Sequence, residues 1–277
     1  MLKGSQEVLH VRSNGGKIIE TLVERHAIHM FLSRCRHLWR VVSLGMMCGV
    51  ALGGCAYGLG TGSVIKGSGT LKTETIPVKG FNAVLLSGVG QLVIQQTGTE
   101  SLTISAEDNL LPLIDVSVQG TTLTIRNQSG TTLQPTQPLQ YLLTVKDLNS
   151  IGLSGAGGVT ITQFKTATLA VTLKGVGNAA LNGLTISDLS VAMSGTGSVV
   201  LGGQTQHQVV TCSGVGVYNA ANLASHTATI QLSGTGNATV RVSDSLDVTI
   251  TGVGSLTYLG NPTVTKHITG VGKVHQG

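Results

Sequence analysis

Apolar residues return along most of this chain in a repeat of 18 to 20 residues. In each repeat they stand four and two residues before, and four residues after, the glycine that begins a Gly-x-Gly tripeptide. Because side chains alternate across a β-strand with a period of two, these positions predict strands with one face turned toward a common interior. The members two residues before the glycine are Leu86, Leu153, Leu173, Met193, Cys212, Leu232, Ile250 and Ile268.

The Gly-x-Gly tripeptides predict the corners of the coils. From Gly155 onward they are separated by 20, 20, 19, 20, 18 and 18 residues. This period, without helical periodicity, predicts an all-β fold, a right-handed parallel β-helix or solenoid around one core. We expect the glycines to face inward where each coil bends toward its own core, which leaves little room for a Cβ atom. The predicted corner glycines are Gly88, Gly90, Gly155, Gly157, Gly175, Gly177, Gly195, Gly197, Gly214, Gly216, Gly234, Gly236, Gly252, Gly254, Gly270 and Gly272.

The residue before each tripeptide predicts an exposed ladder on one face of the solenoid. It is serine or threonine in every repeat except one, where it is Lys174. Coils stacked about 4.8 Å apart align these side chains. Hydroxyl groups that hydrogen-bond to one another along the ladder are the simpler interpretation. A surface that binds a partner is the alternative.

The longest interruption of the repeat lies in the N-terminal half. Between Gly88 and Gly155, 67 residues leave room for roughly three coils without a glycine corner. Within this stretch, around residues 113–138, alternating segments on either side of Gln119-Gly120 predict a β-hairpin. The polar segment 128–137 that follows predicts a flexible, protruding loop.

A leader precedes the repeat. Residues 30–54 begin with Met and hold three arginines, an apolar run and small residues, which is the pattern of a secretory signal peptide. The apolar run is too short to span a bilayer as a permanent helix. Residues 1–29 fit neither the signal nor the repeat, and we interpret them as an upstream mis-start or a disordered extension. We expect a flexible Gly/Ser/Thr-rich tether at 55–70 and the solenoid domain at 71–277.

The end of the leader resembles the lipobox of bacterial lipoproteins. Leu52, Gly53 and Gly54 precede Cys55, and the resemblance implies that Cys55 carries lipid. Ala56 follows in place of the Asp that commonly retains lipoproteins at the inner membrane, so the resemblance implies the outer membrane. An ordinary signal peptide cut near Ala56, which would release a secreted protein, is the alternative.

The charge balance argues against a nucleic-acid partner. The net charge is +5, but seven of the 17 Lys and Arg and three of the 12 Asp and Glu lie before Cys55. The remaining chain is therefore close to neutral and carries no basic footprint.

Residues with catalytic or metal-binding chemistry are sparse in the repeat. The glycines follow no strand-to-helix pattern of a dinucleotide site, and no Asp follows each corner as calcium-binding repeats require. His207 and His226 share one turn region on neighbouring coils, which is a weak signal for a metal. Three carboxylates precede corners by seven or eight residues, and surface turns explain them more simply. We therefore expect no enzyme activity, cofactor or metal; these carboxylates are Asp147, Asp188 and Asp244.

The start of the repeat resembles the family of putative auto-transporter adhesins with a head GIN domain. The similarity begins with Val78-Lys79-Gly80-Phe81, includes Gly88-Val89-Gly90 and Gln95-Gln96-Thr97-Gly98, and continues through the glycine repeats. The resemblance implies a β-helical envelope protein, often secreted or lipid-anchored, with no established enzymatic activity.

Together these features predict a non-enzymatic lipoprotein of the cell envelope that serves as a structural or adhesin-like binding module. A polysaccharide-binding or polysaccharide-degrading β-helix protein is the alternative. The expected partners are the membrane, through the lipid anchor, and an envelope protein or glycan. The uncapped C-terminal coil also predicts self-association through the ends of the solenoid.

Overall fold

A computed structural model describes residues 62–277 of the chain. The leader, Leu52, Gly53, Gly54 and Cys55 lie outside the described residues, so their predicted roles stay predictions. The described part is all-β apart from a 3-10 helix at Leu111–Leu113. In this part of the chain, no helix has the length and apolar character needed to cross a membrane.

The strands are short in the N-terminal half and long in the regular coils, where a single strand runs from one Gly-x-Gly corner to the next. They are β1 (Ser63–Lys66), β2 (Leu71–Ile76), β3 (Ala83–Leu86), β4 (Val89–Gln96), β5 (Ser101–Glu107), β6 (Ile114–Gln119), β7 (Thr122–Asn127), β8 (Thr131–Gln134), β9 (Gln140–Val145), β10 (Ser150–Leu153), β11 (Ala156–Ile161), β12 (Phe164–Leu173), β13 (Val176–Met193), β14 (Thr196–Cys212), β15 (Val215–Leu232), β16 (Thr235–Ile250), β17 (Val253–Leu259), β18 (Thr263–Ile268) and β19 (Val271–Gln276).

Parallel coils stack on one another from β10 to β19, which confirms the predicted β-solenoid. It has about six turns. On both sides of the glycine corners residues pair with their equivalents one repeat later, as Leu173 pairs with Met193 and Met193 with Cys212. The predicted inward positions line the core, where Leu86, Leu173 and Ile250 are fully or almost fully buried. The parity of the repeat therefore predicts the core correctly.

The glycine corners also stack in register, but the steric reason for the glycines differs from the expected one. Gly157 pairs with Gly90 on one side and with Gly177 on the other. A Cβ atom on Gly157 would lie 1.8 Å from the Gly90 carbonyl oxygen, and one on Gly177 would lie 1.7 Å from that of Gly157. The expected crowding against the core is wrong: the backbone of the preceding coil occupies the space that a side chain would need.

The three coils expected between Gly88 and Gly155 are replaced by a layer that is out of chain order. β3 pairs in parallel with β7 on one side and β10 on the other, while β4 pairs with β9 and β11 in the same way. The chain thus builds one layer beneath its first coil before it returns to stack β10 on top. β5 lies antiparallel to β2 and β9, so this end of the sheet is not a regular coil.

The predicted hairpin is present in this insertion. β6 pairs antiparallel with β7, and Gln119 faces Thr122 across a two-residue connection. Gly120 has a φ of 59° there, a left-handed conformation that glycine adopts without strain. The dipeptide Gln119-Gly120 therefore marks the turn as expected.

Two segments expected to be flexible pair with each other instead. In the described part of the predicted tether, β1 forms a parallel two-stranded sheet with β8, which lies in the predicted loop 128–137. The side chain of Asn109 joins them to the domain, since its amide group donates to the Lys66 carbonyl at 2.8 Å and its carbonyl accepts the Ser68 N–H at 2.9 Å. The structure therefore differs from the expectation for residues 62–70 and 128–137.

The core pattern ends at the last coil. Lys266 stands where earlier coils place Val or Ile, and Ile268 is 39% exposed although its equivalent Ile250 is buried. Self-association through this end stays a prediction.

Candidate functional site

Two open depressions lie side by side on the solenoid, away from the Gly-x-Gly corners. One has a volume of about 550 Å³ and begins at Lys165, and the other has a volume of about 460 Å³ and reaches Asn261. Both are lined by Gln204, Thr205 and Gln206. We call this continuous surface from Lys165 to Asn261 the polar groove.

The polar groove follows the stacking axis. One column of residues in register crosses five coils along it, which sets the spacing of the side chains. With neighbouring strands about 4.8 Å apart, the first and last members are roughly 19 Å apart. The column consists of Lys165, Thr185, Gln204, Ala224 and Arg241.

Irregularities in strand pairing form the bend at the groove. The register shifts between Leu181 and Leu184, and again between Val200 and Gly202. Bulges of this kind bend a strand and change the direction of its side chains. Gly203 allows close contact here, because a Cβ atom on it would lie 2.1 Å from the Leu184 carbonyl oxygen.

The floor of the groove consists of buried, hydrogen-bonded hydroxyl groups. Thr205 is 3% exposed, and its hydroxyl lies 3.0 Å from the Ser187 carbonyl and 3.1 Å from that of His207. Ser225 is also buried, and its hydroxyl donates to the Arg241 carbonyl at 2.7 Å. These bonds fix the floor because buried polar groups are costly to leave unpaired.

A buried network supports the floor from the core. The Tyr218 hydroxyl donates to Gln208 Oε1 at 2.8 Å, and Gln208 Nε2 donates to Ser225 Oγ at 2.6 Å. Burial raises the pKa of Tyr218 far above its usual value, with a smaller contribution from Cys212, so its hydroxyl keeps its proton. Sequence reasoning missed this network, although Gln208 interrupts an otherwise apolar column; its neighbours there are Leu189, Ala228 and Leu246.

Cations stand near the two ends of the groove. Arg241 Nε donates to the Ala221 carbonyl at 2.8 Å, which holds the side chain against the preceding coil. Among the described residues, neither the terminal nitrogens of Arg241 nor Lys165 Nζ forms an ion pair. No carboxylate lines either depression in the described part of the chain. The charged side chains that line the groove are therefore the cations Lys165 and Arg241.

His226 lies in the groove beside a carboxylate outside it. Its Nδ1 is 3.2 Å from Asp244 Oδ2 and 3.5 Å from Ser243 Oγ. The hydrogen bond from Ser243 lowers the pKa of Asp244, and His226 adds to the effect. A serine–histidine–acid relay uses both ring nitrogens, one for each partner. Here both partners share Nδ1, so this geometry is not a nucleophilic triad.

The two histidines proposed as weak metal ligands have different partners. His207 Nδ1 lies 2.8 Å from Thr227 Oγ1, whereas His226 pairs with Asp244. Residues 62–277 contain no group of three or more potential ligands. Asp147 accepts the N–H of Leu148 at 2.9 Å, a local bond of the kind expected for an Asp in a turn.

The exposed ladder lacks the hydrogen bonds expected along it in the described residues, whereas Cys212 has a plain structural role. Between neighbouring ladder positions, the described residues show no hydroxyl–hydroxyl hydrogen bond; Ser233 Oγ instead approaches the Cys212 carbonyl at 3.5 Å.

Burial raises the pKa of the Cys212 thiol to about 11. The thiol is thus protonated near neutral pH and packs beside Met193 Sδ at 3.7 Å, which agrees with a core role.

The fold and the groove define a parallel β-solenoid with an open polar surface and a closed core. The chain belongs to the family described as "Putative auto-transporter adhesin, head GIN domain", which matches residues 80–262. Among curated proteins, the comparison finds no match.

Solved structures share this architecture. A putative adhesin from Bacteroides fragilis is 32% identical, with a TM-score of 0.74, and the alignment covers 77% of this chain and all of that one. A putative lipid binding protein from Parabacteroides distasonis is 20% identical with a TM-score of 0.62, covering 78% of this chain and all of that one. A putative adhesin from the same organism is 22% identical with a TM-score of 0.59 and the same coverage. The last two likenesses show the fold alone.

Proposed function

We propose that this protein is a lipid-anchored component of the bacterial cell envelope that acts as an adhesin-like binding module. The observation that carries the proposal is the polar groove, because a surface that continues across stacked coils suits an extended ligand. Membership of a family of putative adhesins supports a position in the envelope.

Binding rather than catalysis is the activity that the lining favours. β-Helix enzymes that cleave polysaccharides need carboxylates that converge on the bond to be cleaved. In the described residues none lines the groove, and Asp244 beside it has a lowered rather than a raised pKa. The groove offers amides, hydroxyls and cations, which are groups that hold a polar ligand.

Cys55 is the proposed attachment point. A leucine and two glycines precede it at the end of an apolar leader, and a diacylglyceryl group with a further acyl chain would hold the domain firmly at a membrane. The outer membrane is the proposed location.

The experiment is intact mass and detergent partitioning of the full chain from its native host, compared with Cys55→Ser. We expect a lipid-sized increase in mass and partition into detergent for the native chain, and loss of both in the variant. An unmodified chain in the aqueous phase would refute the lipid anchor and favour a secreted protein. Attachment of beads coated with the full chain to envelope material tests the binding role separately.

A further inference from the structure

We propose that the polar groove binds an anionic polysaccharide, extended along the stacking axis between Lys165 and Arg241. This inference rests on the proposed function, since it names the chemistry of the ligand that the binding module holds.

The charges of the groove indicate an anionic ligand. Arg241 is tied through Nε to the Ala221 carbonyl, so its terminal nitrogens remain for a ligand. A guanidinium group binds carboxylate, sulfate or phosphate with two parallel hydrogen bonds. Lys165 supplies a second cation four coils away. A ligand that spans both must be extended and negatively charged at more than one point.

The side chains between the two cations offer hydrogen bonds to a polar ligand. Thr185, Gln204 and Gln206 are exposed and offer hydroxyl and amide groups, which both donate and accept hydrogen bonds. Thr185 and Gln204 are paired in register, about 4.8 Å apart, and Gln206 follows Gln204 on the same strand. A polymer of hydroxyl-bearing units presents hydrogen-bonding partners to such a group of side chains.

Single-stranded nucleic acids lack their usual stacking partners in this lining. Proteins that bind single-stranded nucleic acid combine basic grooves with aromatic side chains on which the bases stack. Neither depression is lined by an aromatic residue in the described part of the chain. The ligand class is therefore an acidic glycan that bears uronate, sulfate or phosphate groups.

The floor of the groove is held in place by hydrogen bonds. Thr205 and Ser225 are buried and bonded to backbone carbonyls, and Gln208 and Tyr218 hold Ser225 from the core. A groove ordered before binding loses less conformational entropy when the ligand arrives. The site is thus formed without the ligand.

The test measures binding of the full chain by calorimetry to three acidic glycans and their neutral counterparts. The pairs are tetragalacturonate and its methyl ester, dextran sulfate and dextran, and phosphomannan and dephosphorylated mannan. The variants are Lys165→Gln, Arg241→Gln and Arg241→Lys, and Lys273→Gln on β19 outside the groove is the matched control. Thermal unfolding of each variant checks that it is folded.

We expect at least one acidic glycan to bind and its neutral counterpart not to bind. Lys165→Gln and Arg241→Gln should each weaken binding about tenfold, as for loss of one charge-assisted contact. Arg241→Lys should weaken it less, because the charge remains, and Lys273→Gln should leave it unchanged.

Four results would overturn the inference: no binding of any acidic glycan, equal binding of a neutral counterpart, an equal loss with Lys273→Gln, or tighter binding of a single-stranded oligonucleotide. If the chain still attaches to envelope material in any of these cases, the proposed function survives and only the ligand class fails.

Discussion

Thr136 binds the Glu107 carboxylate through both its backbone N–H, 2.9 Å from Oε2, and its hydroxyl group. The N–H of Gly69 donates to the same carboxylate at 2.7 Å. Glu107 is 1% exposed, so these donors replace the water that burial removes. The carboxylate thereby joins the segment after β1 to the segment after β8.

Acid should loosen this joint. The hydrogen bond from the Thr136 side chain is the largest cause of a Glu107 pKa below its usual 4.5, and burial acts in the opposite direction. Because the pKa is lower in the folded state, the stabilisation is present above pH 4.5 and is lost as the pH falls toward the folded-state pKa. We expect the unfolding temperature of the full chain to fall over this acidic range.

Substitution distinguishes the contribution of Glu107 to the acid dependence of stability from the contributions of the other carboxylates. Glu107→Gln should lower the unfolding temperature at pH 7 and make its decrease in acid shallower. Glu74→Gln, a change at an exposed position on β2, should leave the pH profile as it is. An unchanged profile for Glu107→Gln would show that the joint does not depend on the carboxylate charge.

The stacked glycines should tolerate no side chain. A Cβ atom on Gly216 would lie 1.9 Å from the Gly197 carbonyl oxygen, and the backbone of two coils would have to separate. We expect Gly216→Ala to lower the free energy of unfolding by about 3 kcal/mol or more. The neighbouring Val215→Ala, at a residue that is 55% exposed, should cost about 0.5 kcal/mol or less. Similar losses for both variants in chemical denaturation would refute close stacking as the reason for the glycines.

The buried pair of Tyr218 and Gln208 should show energetic coupling. Tyr218→Phe removes the hydroxyl that donates to Gln208 Oε1 and should cost about 1–3 kcal/mol, because a buried acceptor loses its partner. Gln208→Leu restores the residue type of Leu189 and Leu246 in the same column. The double variant should therefore lose less stability than the two single variants together. Additive losses in urea unfolding would mean that the bond contributes nothing specific.

The regular part of the fold could be predicted because its contacts are local in the repeat. Leu173, Met193 and Cys212 pair with residues one period away, so one period and one parity determine both register and core. The hairpin could be predicted equally well, because its turn lies between the strands that it joins.

The irregular layer could not be predicted in the same way. β1 pairs with β8 and β2 with β5, and no repeat relates these segments. The joint at Glu107 depends on donors from Gly69 and Thr136, which lie far apart in the chain. A lone glutamate at the end of a strand carries no signal for such a contact.

The groove depends on departures from the repeat rather than on the repeat itself. The register shift next to Gly202 changes which side chains meet, and the column from Lys165 to Arg241 contains no residue type in common. A signal was present in Gln208, a polar residue at an inward position. It indicates a buried polar partner but does not identify Tyr218 or Ser225.

The binding role of the groove is tested most directly by attachment of beads coated with the full chain to envelope material from the native host. Ala224 is exposed in the middle of the groove, and Ala192 is exposed outside it. Ala224→Trp would place a bulky ring in the groove between Gln204 and Arg241, and Ala192→Trp adds the same side chain elsewhere. We predict that the native chain and Ala192→Trp attach equally well and that Ala224→Trp loses attachment. Equal attachment of all three, with each variant folded, would contradict a binding role for the groove.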